Sequence, residues 1–330
     1  MDGSGDKPQL HDRQPDRQRF LIDVLNGLRK PQKELPSKYF YDARGSHLFE
    51  CITRLPQYYI PRAEEAIMRH HAAEMASLLG PNILLVEPGC GECLKTRLLL
   101  DHLRDPAAYV PIDISREQLL RVSADLASSY PRLEVLPVCA DYTDDYELPR
   151  PSRTARRVVV FFPGSTIGNF EPPQATQFLK SMARLCGPGG ALLLGIDLKK
   201  DPALLHSAYN DPDGITAAFN LNLLQRINGE LGADFQLDDF RHYAFYNPSA
   251  GRVEMHLVSL RHQTVHLNGE HMSFARGESI WTESSYKYDG RDLERLAGAA
   301  GFRLERIWTD GEHQFSVQCL ARSGGSMPSS

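Results

Sequence analysis

The sequence predicts an α/β fold, in which a mostly parallel sheet covered by helices on both faces is split by an inserted second unit. Three observations carry this. From residue 83 to residue 196, short continuous apolar runs alternate with helical spacings, and uninterrupted apolar strands mark a sheet buried on both sides. After Asp197 the rhythm stops, and a more polar stretch containing Tyr, Asn and His fills 199–286. The alternation then returns as one helix followed by two strand signals around a short polar turn.

Taken in order, residues 1–18 carry charges of both signs without apolar periodicity and are expected to be disordered. Segment 19–62 precedes the first core strand and needs a surface to pack on; it is expected to join 199–286 in a second, substrate-binding domain. The core, 63–198 plus 287–322, opens with the strand Ile83-Leu-Leu-Val-Glu87 and a glycine-rich turn. Helical spacing runs from Leu94 to Leu103, and the strand Tyr109-Val-Pro-Ile112 ends at Asp113. Leu119, Val122 and Leu126 recur at helical intervals, and Leu133 to Val138 reads as a strand leading to Asp141. Val158 to Phe162 is a buried strand, Pro172 to Cys186 a helix, Gly187-Pro-Gly-Gly190 its stop, and Ala191 to Ile196 a further strand. Beyond the insertion come a helix over Arg291 to Ala300 and strands over Arg303 to Trp308 and Gln314 to Leu320. The tail 323–330 is expected to be disordered. A parallel sheet closed by an antiparallel hairpin is the layout of the Rossmann-like core of S-adenosylmethionine-dependent methyltransferases.

Composition excludes several classes. The chain has 330 residues, 37 Lys and Arg against 42 Asp and Glu, and a net charge of −5. Nucleic-acid binders usually carry a strong basic excess, so no nucleic-acid partner is expected. No apolar run approaches the roughly 20 residues needed to span a bilayer, and Met1 to Gln18 lacks the apolar core of a signal peptide. A cytoplasmic monomer without membrane contact is expected. Six cysteines are too few and too scattered for a disulfide scaffold. Cys90 and Cys93 form a C-x-x-C pair, either a redox pair or two small residues in a tight loop. No second pair completes a tetrahedral set, so no metal is expected.

Glu87-Pro-Gly-Cys-Gly91 lies between a strand and a helix, where glycines let a ligand approach the backbone and helical N–H groups suit an anion. A dinucleotide loop would read G-x-G-x-x-G, but the position three after Gly91 is Leu94. Asp113, just past the second strand, can accept from two ribose hydroxyls. Asp141 can accept from an adenine amino group, with Tyr142 alongside. Each alone is as easily a turn former or helix cap. Three such features at the ends of successive strands fit one nucleotide crevice. Lys95, one turn into the helix, either meets a cofactor carboxylate or is a solvated lysine.

Four stretches are more specific: Ser37-Lys-Tyr-Phe-Tyr-Asp-Ala-Arg-Gly-Ser46, Thr53-Arg-Leu-Pro-Gln-Tyr-Tyr59, Pro163-Gly-Ser-Thr-Ile-Gly-Asn169 and Thr282-Glu-Ser-Ser-Tyr-Lys287. With them the chain, from about Pro36 to Arg322, resembles the histidine Nα-methyltransferase family of ergothioneine biosynthesis. The resemblance implies S-adenosylmethionine as cofactor, L-histidine as substrate, and hercynine as the product of three successive methyl transfers. It implies that Gly89, Lys95, Asp113, Asp141 and Tyr142 contact the cofactor. It implies that Asn169 and Tyr209 hold the substrate carboxylate, that Tyr58 lies near the amine as the catalytic candidate, and that Glu283 and Ser285, within Glu283-Ser284-Ser285, read the imidazole. The Cys-Gly-Glu-Cys stretch after Gly89 departs from the Ser or Thr of other members and gives no reason to assign cysteine chemistry.

Methyl transfer from a sulfonium is an in-line displacement that asks the protein to position the amine and exclude water. The amine must be neutral, and α-amino groups titrate near about 8, so deprotonation is a modest cost. Asn169 and Tyr209 are neutral donors suited to a carboxylate, while a carboxylate and a hydroxyl together can satisfy both nitrogens of a neutral imidazole. Competing readings are the same fold acting on another amino acid such as tryptophan, a dehydrogenase, and a binding module that keeps the crevice. The missing third glycine and the terminal hairpin argue against the dehydrogenase.

Overall fold

The computed structural model describes residues 10–13, 17–144 and 146–322. The chain runs from strand β1 (His11–Arg13) through helix α1 (Arg17–Leu28), strand β2 (Lys33–Glu34) and helix α2 (Ala43–Thr53) to the long helix α3 (Ile60–Leu79). The alternation follows: β3 (Ile83–Pro88), α4 (Leu94–Leu100), β4 (Ala108–Asp113), α5 (Arg116–Ser129), β5 (Val138–Ala140), β6 (Arg157–Phe162), α6 (Pro172–Cys186) and β7 (Ala191–Asp197). Residues 199–286 hold α7 (Pro202–Tyr209), α8 (Ile215–Leu231), β8 (Phe240–Asn247), β9 (Arg252–Ser259), β10 (Gln263–Leu267), β11 (Glu270–Phe274) and β12 (Ser279–Tyr286). Helix α9 (Gly290–Ala299) and strands β13 (Phe302–Thr309) and β14 (Phe315–Arg322) close the chain.

The large sheet has the order β1-β5-β4-β3-β6-β7-β14-β13. Its pairs are parallel as far as β7, and β14 is antiparallel to both β7 and β13. Alternate strand residues serve opposite faces. Leu85, Val159 and Leu193 join one apolar cluster, while Leu84, Val160 and Leu192 join another beneath α6 and α9. Both faces are therefore covered, which is why these strands read as unbroken apolar runs. Local signals set the helix ends: Glu171 and Gln174 form a capping box ahead of α6, with Pro172 at its start and Gly187 past its end.

A second, four-stranded sheet has the order β2-β12-β9-β8, and β10 and β11 form a separate hairpin. Strand β2 comes from the N-terminal segment and pairs in parallel with β12, Ile280 facing Lys33 and Trp281 facing Glu34. Phe40 stacks on Phe219 of α8 at 4.5 Å between ring centroids, and Asn222 of α8 donates to Asp42, the residue that caps α2. The first apolar cluster runs from Leu85 and Val159 into Phe40, Phe219 and Ile280, so the two sheets share one core.

Three sequence expectations are corrected. Disorder was expected over 1–18, yet His11–Arg13 pair in parallel with Val138–Ala140 and α1 begins at Arg17. An edge strand is held by main-chain hydrogen bonds and needs no apolar pattern. Residues 1–9, 14–16 and the tail 323–330 lie outside the described residues. The strand expected over Leu133 to Val138 is a lone bridge at Val135 and a strand only from Val138, because Pro111 of β4 has no N–H to continue the ladder from the Tyr109 pairing to that of Ile112. The helix expected to Leu103 ends at Leu100. Among the described residues, no helix is long and apolar enough to cross a membrane.

Candidate active site

The carboxyl ends of β3, β4 and β5 open onto a cavity of about 1220 Å³, closed on its other side by the N-terminal segment, α7 and β12. Ligands of open α/β sheets bind at this end of the strands. Gly89, Lys95, Asp113, Asp141, Tyr142, Tyr58, Asn169, Tyr209, Glu283, Ser284 and Ser285 all border it. The structure thus brings every sequence-predicted position to one cavity, although not every side chain is left unpartnered.

On the core side, Gly89 has φ of 70°, and a Cβ there would stand 3.3 Å from the Tyr142 ring. Glycine satisfies both the positive φ and the close approach. Asp113 is buried and accepts from the N–H groups of Gly91 at 3.0 Å and Ser115 at 2.9 Å. Burial raises its pKa, although these backbone donors oppose the rise. Two carboxylate oxygens offer about four acceptor sites, so capacity for a diol remains. Burial pushes Glu87 up to about 7, against hydrogen bonds from Thr96 and Tyr109.

Asp141 is more fully engaged. Its Oδ1 accepts from the Thr143 N–H at 3.0 Å and hydroxyl at 2.6 Å, and its Oδ2 accepts from Lys38 at 3.1 Å. Burial acts to raise its pKa, but these partners outweigh it and the group titrates below the ordinary aspartate value. Lys95 is ion-paired with Glu64 of α3, a fully buried carboxylate that also accepts from the Gly164 N–H. Acids therefore predominate among the charged groups at this end, and the two lysines beside them are already paired with acids. Such a field suits a cationic ligand such as a sulfonium. The positive-φ loop, the Asp113 acceptor and the Tyr142 ring fit the nucleoside of S-adenosylmethionine.

On the opposite wall, β12 carries an irregularity: its register against β9 shifts between Trp281 and Glu283. A bulge re-aims the side chains beyond it. From there the strand's period of two separates its residues. Ser285 and Lys287 lie on one face with Glu283, and Ser284 and Tyr286 on the other, where both donate to Glu171, at 3.0 and 2.6 Å. The Ser284 hydroxyl is thus held outside the Glu283–Ser285 cluster. The motif 163–169 abuts this strand, and Gly168 lets it do so, since a Cβ there would stand 2.8 Å from the Tyr286 carbonyl. Asn169, half-buried at the end of a short 3-10 turn (Thr166–Asn169), is thereby set beside β12.

Tyr209 at the end of α7 donates to Ser285 Oγ at 2.8 Å, and its ring meets that of Tyr58 edge-on at 5.9 Å. Burial, with Tyr209 and Glu283 nearby, holds the Tyr58 phenol protonated far above its ordinary titration. Burial raises Glu283 to about 7, with Lys287 opposing. Cys90 and Cys93 are free and buried. The Cys90 thiol is pushed well up by its hydrogen bond to Cys93 and by burial, which disfavours the reactive thiolate.

Sequence reasoning missed the charged groups behind the cavity. Asp197, at the end of β7, is fully buried and holds Lys287 at 2.6 Å, the Tyr59 hydroxyl at 2.8 Å, and Lys200. Burial lowers Lys200 to about 8. Tyr59 and Lys287 lie in motifs quoted above but carried no role there, and Glu64 lies in no motif.

Residues 20–322 match the family model described as histidine-specific methyltransferase, S-adenosylmethionine-dependent. The chain is 42% identical over 306 residues to a histidine N-alpha-methyltransferase of Mycobacterium tuberculosis, covering 91% of this chain and 94% of that protein. It is 41% identical over 305 residues to the histidine N-alpha-methyltransferase of Mycolicibacterium smegmatis, with the same coverage. It is also 32% identical over 309 residues to ergothioneine biosynthesis protein 1 of Neurospora crassa, covering 88% of this chain and 33% of that longer protein.

Proposed function

The chain belongs to the histidine-specific, S-adenosylmethionine-dependent methyltransferase family, and from that premise we propose that it trimethylates the α-amine of L-histidine to hercynine, the first step of ergothioneine biosynthesis. The observation that carries the reading is the cavity itself. A nucleoside-type crevice with Asp113 at its edge faces a second wall where Glu283, Ser285, Tyr209 and Asn169 converge. In this reading the core, 63–198 plus 287–322, takes the cofactor, and 19–62 with 199–286, joined by Asn169 of the core, takes the amino acid.

Bound S-adenosylmethionine would supply a methyl group already activated on a sulfonium. Asp113 accepts from the ribose hydroxyls, Gly89 and Tyr142 bracket the nucleoside, and Asp141 takes the adenine amine with whatever acceptor capacity Thr143 and Lys38 leave it. Lys95, paired with Glu64, serves the cofactor's amino acid end only as part of that pair. Asn169 and Tyr209 donate to the histidine carboxylate. Glu283 accepts from one ring nitrogen and Ser285 donates to the other. Tyr58, kept as a phenol, accepts an N–H of the amine and turns its lone pair toward the methyl group. The amine loses its proton to water, at a cost lowered by the neighbouring sulfonium. The walls from the two sheets limit the water that reaches the transferring methyl group while leaving a path for the proton to solvent.

The test is incubation with methyl-labelled S-adenosylmethionine and L-histidine, read by mass spectrometry. Sequential mono-, di- and trimethylhistidine is expected. No transfer to histidine, or preferred transfer to tryptophan, would overturn the substrate assignment.

A further inference from the structure

Beneath the substrate wall lies a buried cation to which the reading above gives no task. The Lys287 side chain is fully buried, as is that of Asp197, and the two are 2.6 Å apart. The same ammonium donates to Tyr209 Oη at 3.0 Å and to Ser285 Oγ at 2.9 Å. An ammonium has three N–H donors, and these three partners use all of them. Asp197 does not depend on Lys287 alone, because Lys200 and Tyr59 also bind it. A buried ion pair is weak evidence of a contribution to stability, which leaves the direction of the other two hydrogen bonds to be explained.

A hydroxyl that accepts from an ammonium must aim its own proton elsewhere. Tyr209 and Ser285 both accept from Lys287, so both protons are free to turn away from it. Tyr209 directs its proton to Ser285. Ser285 accepts from both Lys287 and Tyr209 and borders the cavity, toward which its own proton can turn. We propose that Lys287 is a positioning residue for substrate recognition: it occupies the acceptor side of Tyr209 and Ser285 together, so that both present themselves to the amino acid as donors. This rests on the histidine reading of the site. It explains how Ser285 can serve an acceptor nitrogen without being ordered afresh, while Tyr209, held in place by Lys287, has only to turn its proton from Ser285 to the carboxylate. It also places a positive charge behind Glu283, which favours that group's carboxylate form.

The experiment is a mutant cycle on the full chain. Lys287→Met should raise the KM for histidine by roughly tenfold to a hundredfold, the range for lost hydrogen bonds to charged groups. Affinity for S-adenosylhomocysteine, by calorimetry, should stay within about twofold of wild type. In a Tyr209→Phe, Ser285→Ala background the same substitution should have little further effect on histidine KM, because the groups through which Lys287 acts are gone. Should Lys287→Met not fold, Lys287→Gln removes the charge with less change of polarity, and the same confinement of the loss to histidine is expected. Unchanged histidine KM, a parallel loss of cofactor affinity, or an undiminished effect in the double-hydroxyl background would overturn the proposal. If wild type itself does not methylate histidine, the functional reading falls instead, so the two failures are distinguishable.

Discussion

The Tyr209 hydroxyl donates to Ser285 Oγ at 2.8 Å, so two residues expected to read different parts of the substrate touch each other. A ligand that engages both must carry a carboxylate and a ring nitrogen close together, as histidine does. Asn169→Ala and Tyr209→Phe should therefore raise histidine KM by roughly tenfold or more, while cofactor affinity stays near wild type. Histamine, which lacks the carboxylate, should be a poor substrate. Steady-state kinetics with both amines checks this, and efficient methylation of histamine would sink the carboxylate assignment.

Asp113 already accepts from Gly91 and Ser115, so it fixes the loop as well as offering acceptors to a diol. Asp113→Ala should weaken S-adenosylmethionine binding by about 1.5–3 kcal/mol, or roughly 10- to 150-fold. Asp113→Asn, which keeps one acceptor oxygen, should lose less. Calorimetry decides, and unchanged cofactor affinity in the Ala variant would refute the role.

The core was legible because its strands are apolar on both faces and its helices carry local stops; Pro172 and Cys186 bound α6 as the sequence predicts. The acids at the strand ends were legible because a strand end is a fixed address in this fold. What escaped was non-local. Glu64 meets Lys95 across 31 positions of sequence, and Lys287 meets Asp197 across the whole insertion. No periodicity announces either pair. Asp141 shows the opposite limit, since one local pattern, Asp141-Tyr-Thr143, serves a turn whether or not it also serves a ligand. Ser284 was grouped with its neighbours by motif, but the pleat of β12 sends its hydroxyl to Glu171.

Glu283 makes stability depend on pH. Its pKa is raised to about 7 in the fold by burial, against about 4.3 for an unperturbed glutamate. Between these values the folded state holds a proton that the unfolded state has released. The resulting stability is present in full below about pH 4 and is lost as pH rises through 7. Glu283→Gln removes an acid that is costly to ionise, so it should raise the Tm of the protein clearly more at pH 8 than at pH 5. The difference should be on the order of 1 kcal/mol after allowance for the solvent that reaches the cavity. Equal Tm changes at both values would show that Glu283 ionises freely.

The same residue should set selectivity. An imidazole N–H gives the Glu283 carboxylate a partner in the cavity, while phenylalanine or tryptophan leaves it desolvated or misaligned, which is costly. Sites built on buried polar groups reject ligands that leave those groups unpaired, by roughly 10⁴ in favourable cases. Glu283→Ala should therefore act twice. It should reduce kcat/KM for histidine strongly while leaving cofactor affinity nearly intact, because Glu283 stands on β12, across the cavity from Asp113. It should also remove the penalty against larger apolar amino acids and open space for them. The quantity to measure is the ratio of kcat/KM for histidine to that for tryptophan, in wild type and variant. A ratio that falls by an order of magnitude or more is expected. A ratio that does not move would place ring recognition elsewhere on the wall, on Ser285 and the two aromatic rings, Tyr58 and Tyr209, that meet edge-on beside it.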